Sequence, residues 1–330
     1  MGNNELFACV TGQMYYFPAL GRIRNDSVFL MFVKQLDENS LIVGAPAKVN
    51  LFLEVLHKRA DGYHEINSLF QAVSLFDRLT GRRRPDRPGV EIRLKHPADV
   101  PTDDSNLIAR AYELMRERFG LVDGLDIELD KNIPVAAGLG GGSSDAAATI
   151  TTCNILFSLG LTAQEMADLG AEIGSDIPFF FSSGQALVSG RGEVVTEVAL
   201  QTDYWLGLVT PAVRISTAEA YRQLSLGLTK VKVPVSFRCC KELQELVRFL
   251  SETGNDFESI QLGAHPQLEE IKNGLSDLGA LLSRMSGSGP TVFGLYIEAP
   301  DVKSKRLQSK DERRDGARQA FAVRPIVQPA

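Results

Sequence analysis

The chain has 330 residues, 35 Lys and Arg against 41 Asp and Glu, and a net charge of −6. That length suits one large or two ordinary domains and can bury a core without disulfides, while the acidic balance argues against a nucleic-acid partner, because phosphate backbones attract basic faces. No apolar run reaches the ~20 residues that span a bilayer, and Cys9, Cys153, Cys239 and Cys240 form no CxxC pair, so the expectation is a cytoplasmic protein with no membrane partner, no structural zinc and reduced cysteines.

Residues 1–40 show no sustained period. They are read as an extension, disordered or lying ahead of an internal start, with Met14 and Met31 both upstream of the first strong pattern. Truncation to Met31 is expected to leave activity intact. LIVGAPAKVNLFLEVL, from Leu41, reads as a strand, a small-residue turn and a second strand. Gly81 to Gly89, GRRRPDRPG, reads as a breaker-rich solvated loop, with anion binding by its four arginines as the alternative. Val90–Leu94 reads as a strand. Asp104 to Phe119 reads as a helix capped by Asp104 or Ser105 and stopped by Gly120, and Leu125–Leu129 alternates as a short strand.

A glycine-rich turn at 138–142 then opens a helical run to about Leu159. Thr162 and Glu165 form a capping box for a further helix ending near Gly174. Ala186 to Val198 reads as a hairpin around Gly190–Gly192. A composition change near Gln201 divides the chain into 41–200 and 201–330. The second part restarts with a strand at Tyr204–Val209 and carries helices such as Cys240 to Glu252. It closes with a charged stretch, Lys303 to Arg314, and an apolar tail, Phe321 to Val327.

Four segments carry chemistry. In PVAAGLGGGSSDAAA, from Pro134 to Ala148, a strand runs through glycines into a helix. Glycines let backbone N–H groups turn inward, and a helix start adds free donors and a positive dipole end, which together suit a di- or triphosphate. Neither GxxxxGK[ST] nor GxGxxG is present, so a dinucleotide dehydrogenase competes weakly. In APAKVNL, Lys48 stands inside an otherwise apolar strand and is costly to bury without a partner. Asp176, in GSDIPFF, taken alone is a turn or cap aspartate, and SRMSGSGPT, from Ser283 to Thr291, taken alone is an ordinary loop.

Taken together and in this order, the four segments resemble the GHMP kinase superfamily. The stretch APAKVNLFLEVLHKRADGYHEINSLFQAVSLFD, from 45 to 77, and its DGYH element are similar to the branch acting on a diphosphocytidyl-linked methylerythritol. The resemblance covers about 41 to 296. It implies an α+β, two-domain fold: an ATP-binding domain of the ribosomal S5 domain 2-like form at 41–200 and a ferredoxin-like domain at 201–330, with the active site between them. The tail after Tyr296 departs from the family's usual ending, leaving its last helix and strand open.

The activity implied is transfer of the ATP γ-phosphoryl group to the 2-hydroxyl of 4-diphosphocytidyl-2-C-methyl-D-erythritol, in the methylerythritol phosphate pathway. By the resemblance, Asp176 is the base, or else mainly aligns the hydroxyl, and Lys48 is its partner. Pro134, Val135, Ala136, Ala137, Gly138, Leu139, Gly140, Gly141, Gly142, Ser143 and Ser144 hold ATP, with Asn106, Leu107, Ile108 and Lys131 bordering the adenine. Mg2+ accompanies ATP, its protein ligand undecided between Ser143 and Ser144. Tyr63, His64 and Tyr221 take the cytosine, and Asn50 takes the erythritol hydroxyls or Asp176. The expected partners are small molecules only, and the expected state is a monomer or weak homodimer. Two rivals stay open: a GHMP kinase for another alcohol, and a non-catalytic nucleotide binder on the same fold.

Overall fold

In a computed structural model of the chain, the described residues are 30–85, 87–225, 234–237, 240–304, 307 and 318–328, with the backbone of two short strands ahead of them. Those strands, β1 (Leu6–Val10) and β2 (Gln13–Phe17), form an antiparallel pair. The other residues before Leu30 lie outside the description, as does most of the charged stretch from Lys303 to Arg314.

The first large sheet begins with β3 (Phe32–Asp37), which pairs antiparallel with β4 (Ser40–Lys58). Leu30, Met31 and Val33 are buried, so the reading of everything up to residue 40 as an extension fails for this part. The physical reason is that β3 is an edge strand with one buried residue, too few for a periodic signal. Next, β5 (His64–Arg84) pairs along almost all of β4. The sheet continues through β6 (Val90–Leu94) and β7 (Gly124–Asp130) in the order β3-β4-β5-β7-β6, with β6 and β7 parallel. A side branch is built from β8 (Gln185–Ser189) on β5 and β9 (Val194–Glu197) on β8.

No turn interrupts β4 at the small residues GAPA. The strand runs through, with register shifts at Pro46/Ala47 and Asn50/Phe52. A proline is accommodated where the ladder is already broken. The shifts exchange the faces of the strand. Val43 and Ala45 enter the core under the helices, Ala47, Val49 and Leu51 enter a second core, and Leu53 and Val55 return to the first. Lys48 and Asn50, two residues apart, therefore share a face opposite Val49 and Leu51.

Arg82 to Arg84 extend β5 instead of forming a loop. Arg83 Nε bonds Asp123 Oδ2 at 2.6 Å, and Arg84 Nη1 bonds Asp126 at 2.8 Å and Glu91 at 3.1 Å. These carboxylates answer Arg83 and Arg84 and take two of the four arginines from any anion site there, while Arg82 and Arg87 are exposed.

Three helices cover one face. The first, α1 (Leu107–Phe119), is capped by Asn106, whose Oδ1 accepts from the Ile108 amide at 2.9 Å, and Gly120 ends it in the left-handed region. The cap is not Asp104 or Ser105, because Asp103 Oδ1 holds the Ser105 amide at 2.9 Å and keeps the chain in a turn until Asn106. The second, α2 (Gly141–Leu156), is buried almost all round and built of small residues, as a central helix must be. The third, α3 (Ala163–Ile173), begins with the Thr162/Glu165 capping box.

The second sheet is antiparallel. Its strands are β10 (Trp205–Thr210), β11 (Leu282–Met285), β12 (Val292–Tyr296) and β13 (Gln319–Val323), in the order β11-β12-β10-β13. Second, third, first, fourth is the ferredoxin-like order, and β13 supplies the fourth strand that the unusual tail left open. Helices α4 (Thr217–Ser225), α5 (Leu243–Ser251), α6 (Glu258–Ala264) and α7 (Pro266–Asp277) connect it. Tyr204, Leu208, Phe249 and Phe293 meet Ala47, Val49 and Leu51 in the second core, which joins the sheets. The chain is thus α+β, with one sheet-and-helix layer for each half.

Candidate active site

A cleft of about 520 Å3 runs along the start of α2 and is lined by both halves of the chain. That volume is of the size that takes small-molecule ligands. Its floor is the glycine-rich turn. Gly138 and Gly140 stand at φ 74° and 70°, where a side chain would be strained. A Cβ on Gly138 would also come within 2.2 Å of the Ser286 carbonyl oxygen. Gly140 precedes α2 without any side-chain cap, so the first helix amides are left for a ligand.

Three neighbours fix this turn. The Lys48 amide bonds the Leu139 carbonyl at 2.9 Å, tying it to β4. Ser286 Oγ donates to the Gly138 carbonyl at 2.9 Å and accepts from the Asn50 amide at 3.1 Å. Asn255 Nδ2 holds the carbonyls of Met285 and Gly287 at 2.7 and 2.8 Å. The segment SRMSGSGPT is therefore a buttress against the glycine turn.

Lys48 and Asp176 meet at the inner end. Lys48 Nζ lies 3.3 Å from Asp176 Oδ2 and donates to Asn50 Oδ1 at 2.6 Å. The ammonium also sits 4.3 Å from the centre of the Phe70 ring. Lys48 is 5% exposed and Asp176 32%, so the pair has a dry cation and a carboxylate that faces the cleft. Asp176 follows the end of α3 and precedes the 3-10 turn Pro178–Phe181, which wedges Phe179 and Phe180 into the core. Gly192, in the β8–β9 hairpin, closes over it: a Cβ there would stand 3.4 Å from Asp176 Oδ1.

A second ionic group lies beneath the turn. Lys131 Nζ bonds Asp145 Oδ2 at 2.8 Å and also bonds Asp77 Oδ2, and all three side chains are buried. Burial works against the ammonium, but the two carboxylates outweigh it and hold the Lys131 pKa above its ordinary value. Burial and the nearby Asp145 push the Asp77 pKa upward as well, which would favour a proton on it and so work against the ion pair. The geometry supports the ion pair, because Asp77 Oδ1 also accepts from the amides of Asn132 at 2.6 Å and Ile133 at 2.8 Å, which favour its ionised form.

Of the residues singled out from the sequence, Lys48, Asn50, Asp176, Tyr221, Asn106, Leu107, Lys131 and all of Pro134 to Ser143 line this one cleft. Three do not. Ser144 is fully buried, its hydroxyl without a hydrogen-bond partner among the described residues. Tyr63 is 52% exposed and lies under the Arg191 guanidinium, 5.0 Å from its ring centre. His64 stacks on Tyr221 with centroids 5.0 Å apart and planes at 22°, so these two rings cover each other instead of framing a slot. Burial, followed by the charge of Lys58, lowers the His64 pKa. Sequence reasoning missed Asp77, Asp145 and Ser286. The available signal was a lone acid within a helix of small residues, just after a turn suited to anions.

The comparisons agree with one another. The family model described as GHMP kinases N terminal domain matches residues 106–184, and that described as GHMP kinases C terminal matches 239–322. A protein of Macrococcus caseolyticus named 4-diphosphocytidyl-2-C-methyl-D-erythritol kinase is 40% identical over 262 residues, 79% of this chain and 92% of its own. Its namesake in Bacillus velezensis is 41% identical over 283 residues, 86% of this chain and 96% of its own. The crystal structure of a 4-(cytidine 5'-diphospho)-2C-methyl-D-erythritol kinase superposes with a TM-score of 0.64 at 30% identity, covering 86% of this chain and 99% of that one.

Proposed function

The chain belongs to the GHMP kinases, and from that premise we propose that it transfers the γ-phosphoryl group of ATP to the 2-hydroxyl of 4-diphosphocytidyl-2-C-methyl-D-erythritol, giving the 2-phosphate and ADP. The observation that carries the chemistry is the 3.3 Å approach of Lys48 to Asp176 at the end of a cleft floored by an uncapped helix start.

ATP lies with its phosphates over the amides from Gly138 to Ser143, and its terminal phosphorus faces Asp176. The acceptor hydroxyl is on a tertiary carbon and barely acidic, so positioning counts as much as deprotonation. Asp176 takes the hydroxyl proton, the oxygen bonds the γ-phosphorus, and the bond to the β–γ bridging oxygen breaks to release ADP. Lys48 turns the carboxylate toward the hydroxyl and offsets the negative charge that grows on oxygen. Asn50, held by Lys48 and by its Nδ2 bond to Ser68 Oγ at 2.9 Å, fixes the ammonium in place. Tyr221 takes the cytosine at the cleft wall, with His64 stacked behind it and Tyr63 closing from the surface.

Mg2+ fits this site. It keeps most of its ligands from phosphate and water and needs few from protein. Ser143 faces the cleft, and the unpartnered Ser144 hydroxyl stands behind it. When bound, the ion would neutralise triphosphate charge. No helix among the described residues is long and apolar enough to cross a membrane. We read the enzyme as cytoplasmic, a monomer or weak homodimer, with small molecules alone as partners. Residues 41–200 form its ATP-binding half and 201–330 its second half.

The test is ADP release from magnesium-ATP with a panel of alcohols. The cytidine diphosphate substrate is expected to turn over, while mevalonate, homoserine and sugars do not. Turnover of one of these others in its place would move the chain to a different branch, and none with any alcohol would favour a binding protein.

A further inference from the structure

We propose that Glu65 is a positioning residue: through the β8–β9 hairpin it makes phosphoryl transfer at Asp176 depend on the cytidine end of the acceptor. This inference rests on the kinase reading above and adds how the two ends of the acceptor are coupled. It starts from the hairpin tip, Gly190 to Glu193, which touches both ends. Gly192 backs onto the catalytic loop, where a Cβ on it would stand 3.1 Å from Ser175 Cβ and 3.4 Å from Asp176 Oδ1. Arg191, beside it, lines the cleft with Asp176 and lays its guanidinium over the Tyr63 ring. Its Nη2 also donates to the Ala171 carbonyl in α3 at 3.2 Å.

The tip has little of its own to hold it. Among the described residues β9 pairs only with β8, and it is four residues long. Glu65 supplies the hold. Its Oε1 accepts from the Gly190 amide at 2.9 Å and its Oε2 from Arg59 Nη1 at 2.5 Å, while the Ile66 amide donates to the Gly190 carbonyl at 2.8 Å. Arg59 Nε in turn bonds Asp61 Oδ2 at 3.0 Å, and Asp61 Oδ1 accepts from the Tyr63 amide at 3.1 Å. One carboxylate thus joins the loop that presents Tyr63 to the hairpin that backs Asp176. When cytidine packs on Tyr63, loop and tip are fixed as one piece. Binding energy gained far from the reacting hydroxyl then serves to hold Asp176 in line.

The substitution Glu65→Gln tests this coupling. Both neighbours of the side chain are donors, so its new NH2 finds no acceptor and one of the two links is lost while the shape is kept. The experiment measures kcat and KM in wild type and Glu65→Gln for two acceptors: the full one, and the same alcohol carrying a 4-phosphate in place of its cytidine diphosphate. Hydrogen exchange of the amides at 190–193 is followed with and without added cytidine diphosphate.

The wild type is expected to lose at least roughly 10²-fold in kcat with the truncated acceptor. Glu65→Gln is expected to lose about 10-fold in kcat with the full acceptor, the worth of one hydrogen bond to a charged group, and about 2-fold or less with the truncated one. Its melting temperature and KM for ATP should match the wild type. Cytidine diphosphate should slow exchange at the tip in the wild type and not in the variant. A wild type whose kcat is the same with both acceptors, or whose tip exchanges alike with and without cytidine diphosphate, would overturn the proposal, and this holds even if the variant fails to fold. A kcat that falls equally with both acceptors in Glu65→Gln would also overturn it and leave Glu65 a purely structural part. Turnover of neither acceptor by the wild type would overturn the kinase reading and this inference with it.

Discussion

Adjacent glycines of one turn rest on two different lysines. A Cβ on Gly140 would stand 2.9 Å from Lys48 Cγ, and one on Gly141 would stand 2.9 Å from Lys131 Nζ. Around Lys131, two buried carboxylates close on the ammonium and two backbone amides complete Asp77, and the assembly borders the cleft through Lys131 and Asp145 while Asp77 stays fully buried. Around Lys48 a single carboxylate stands off at 3.3 Å with a third of its surface open. The closed assembly has the geometry of a structural strut. The open one leaves its carboxylate a free oxygen for a proton and for substrate. The same pair of residue types thus does different work according to how many partners the chain supplies.

Removing members of each assembly in turn sharpens this contrast. The largest effect is expected at the strut. Asp77→Ala leaves Lys131 short of a partner and two buried amides unsatisfied, and unfolding free energy is expected to fall by about 3–5 kcal/mol, read by urea denaturation. A loss under 1 kcal/mol would show that the buried group is not structural. Lys48→Met, which keeps length and apolar contact, is expected to leave the melting temperature close to wild type while kcat falls roughly 10²- to 10³-fold. If stability falls and kcat holds, the two assemblies have exchanged roles.

The aromatic end gives smaller effects. Tyr63→Ala is expected to raise KM for the cytidine substrate about 10-fold, as loss of one ring contact would, with KM for ATP unchanged. Equal changes in both would remove Tyr63 from that end. Its neighbour gives a pH effect of a few-fold. The His64 pKa is lowered by burial and by Lys58, so the folded protein takes up this proton later than the unfolded chain as pH falls. Acid therefore costs the fold stability from about pH 6.5 downward. KM for the cytidine substrate should be flat above pH 6.5 and rise below it. A KM that falls on acidification would mean that charged imidazole is the binding form.

Much of this was legible in the residues. The glycine turn announced itself because positive φ and a close approach admit little else, and the Thr162/Glu165 box fixed the start of α3. The meeting of Lys48 with Asp176 was expected only through the resemblance, since nothing local in GSDIP separates a catalytic aspartate from a cap. The register shifts of β4 were hidden, because GAPA reads as a turn by composition while the ladder beside β5 keeps it extended. Edge strand β3 carries too little apolar alternation to be seen. Asp145 escaped notice because its bond to Lys131, 14 residues earlier, forms only when α2 packs under the glycine turn.

The most direct test of the account is single-turnover phosphoryl transfer by Asp176→Ala, measured beside its dissociation constant for magnesium-ATP. The account predicts a transfer rate lower by roughly 10³-fold or more with ATP affinity within a few-fold of wild type. A variant that transfers phosphate at close to the wild-type rate would contradict it.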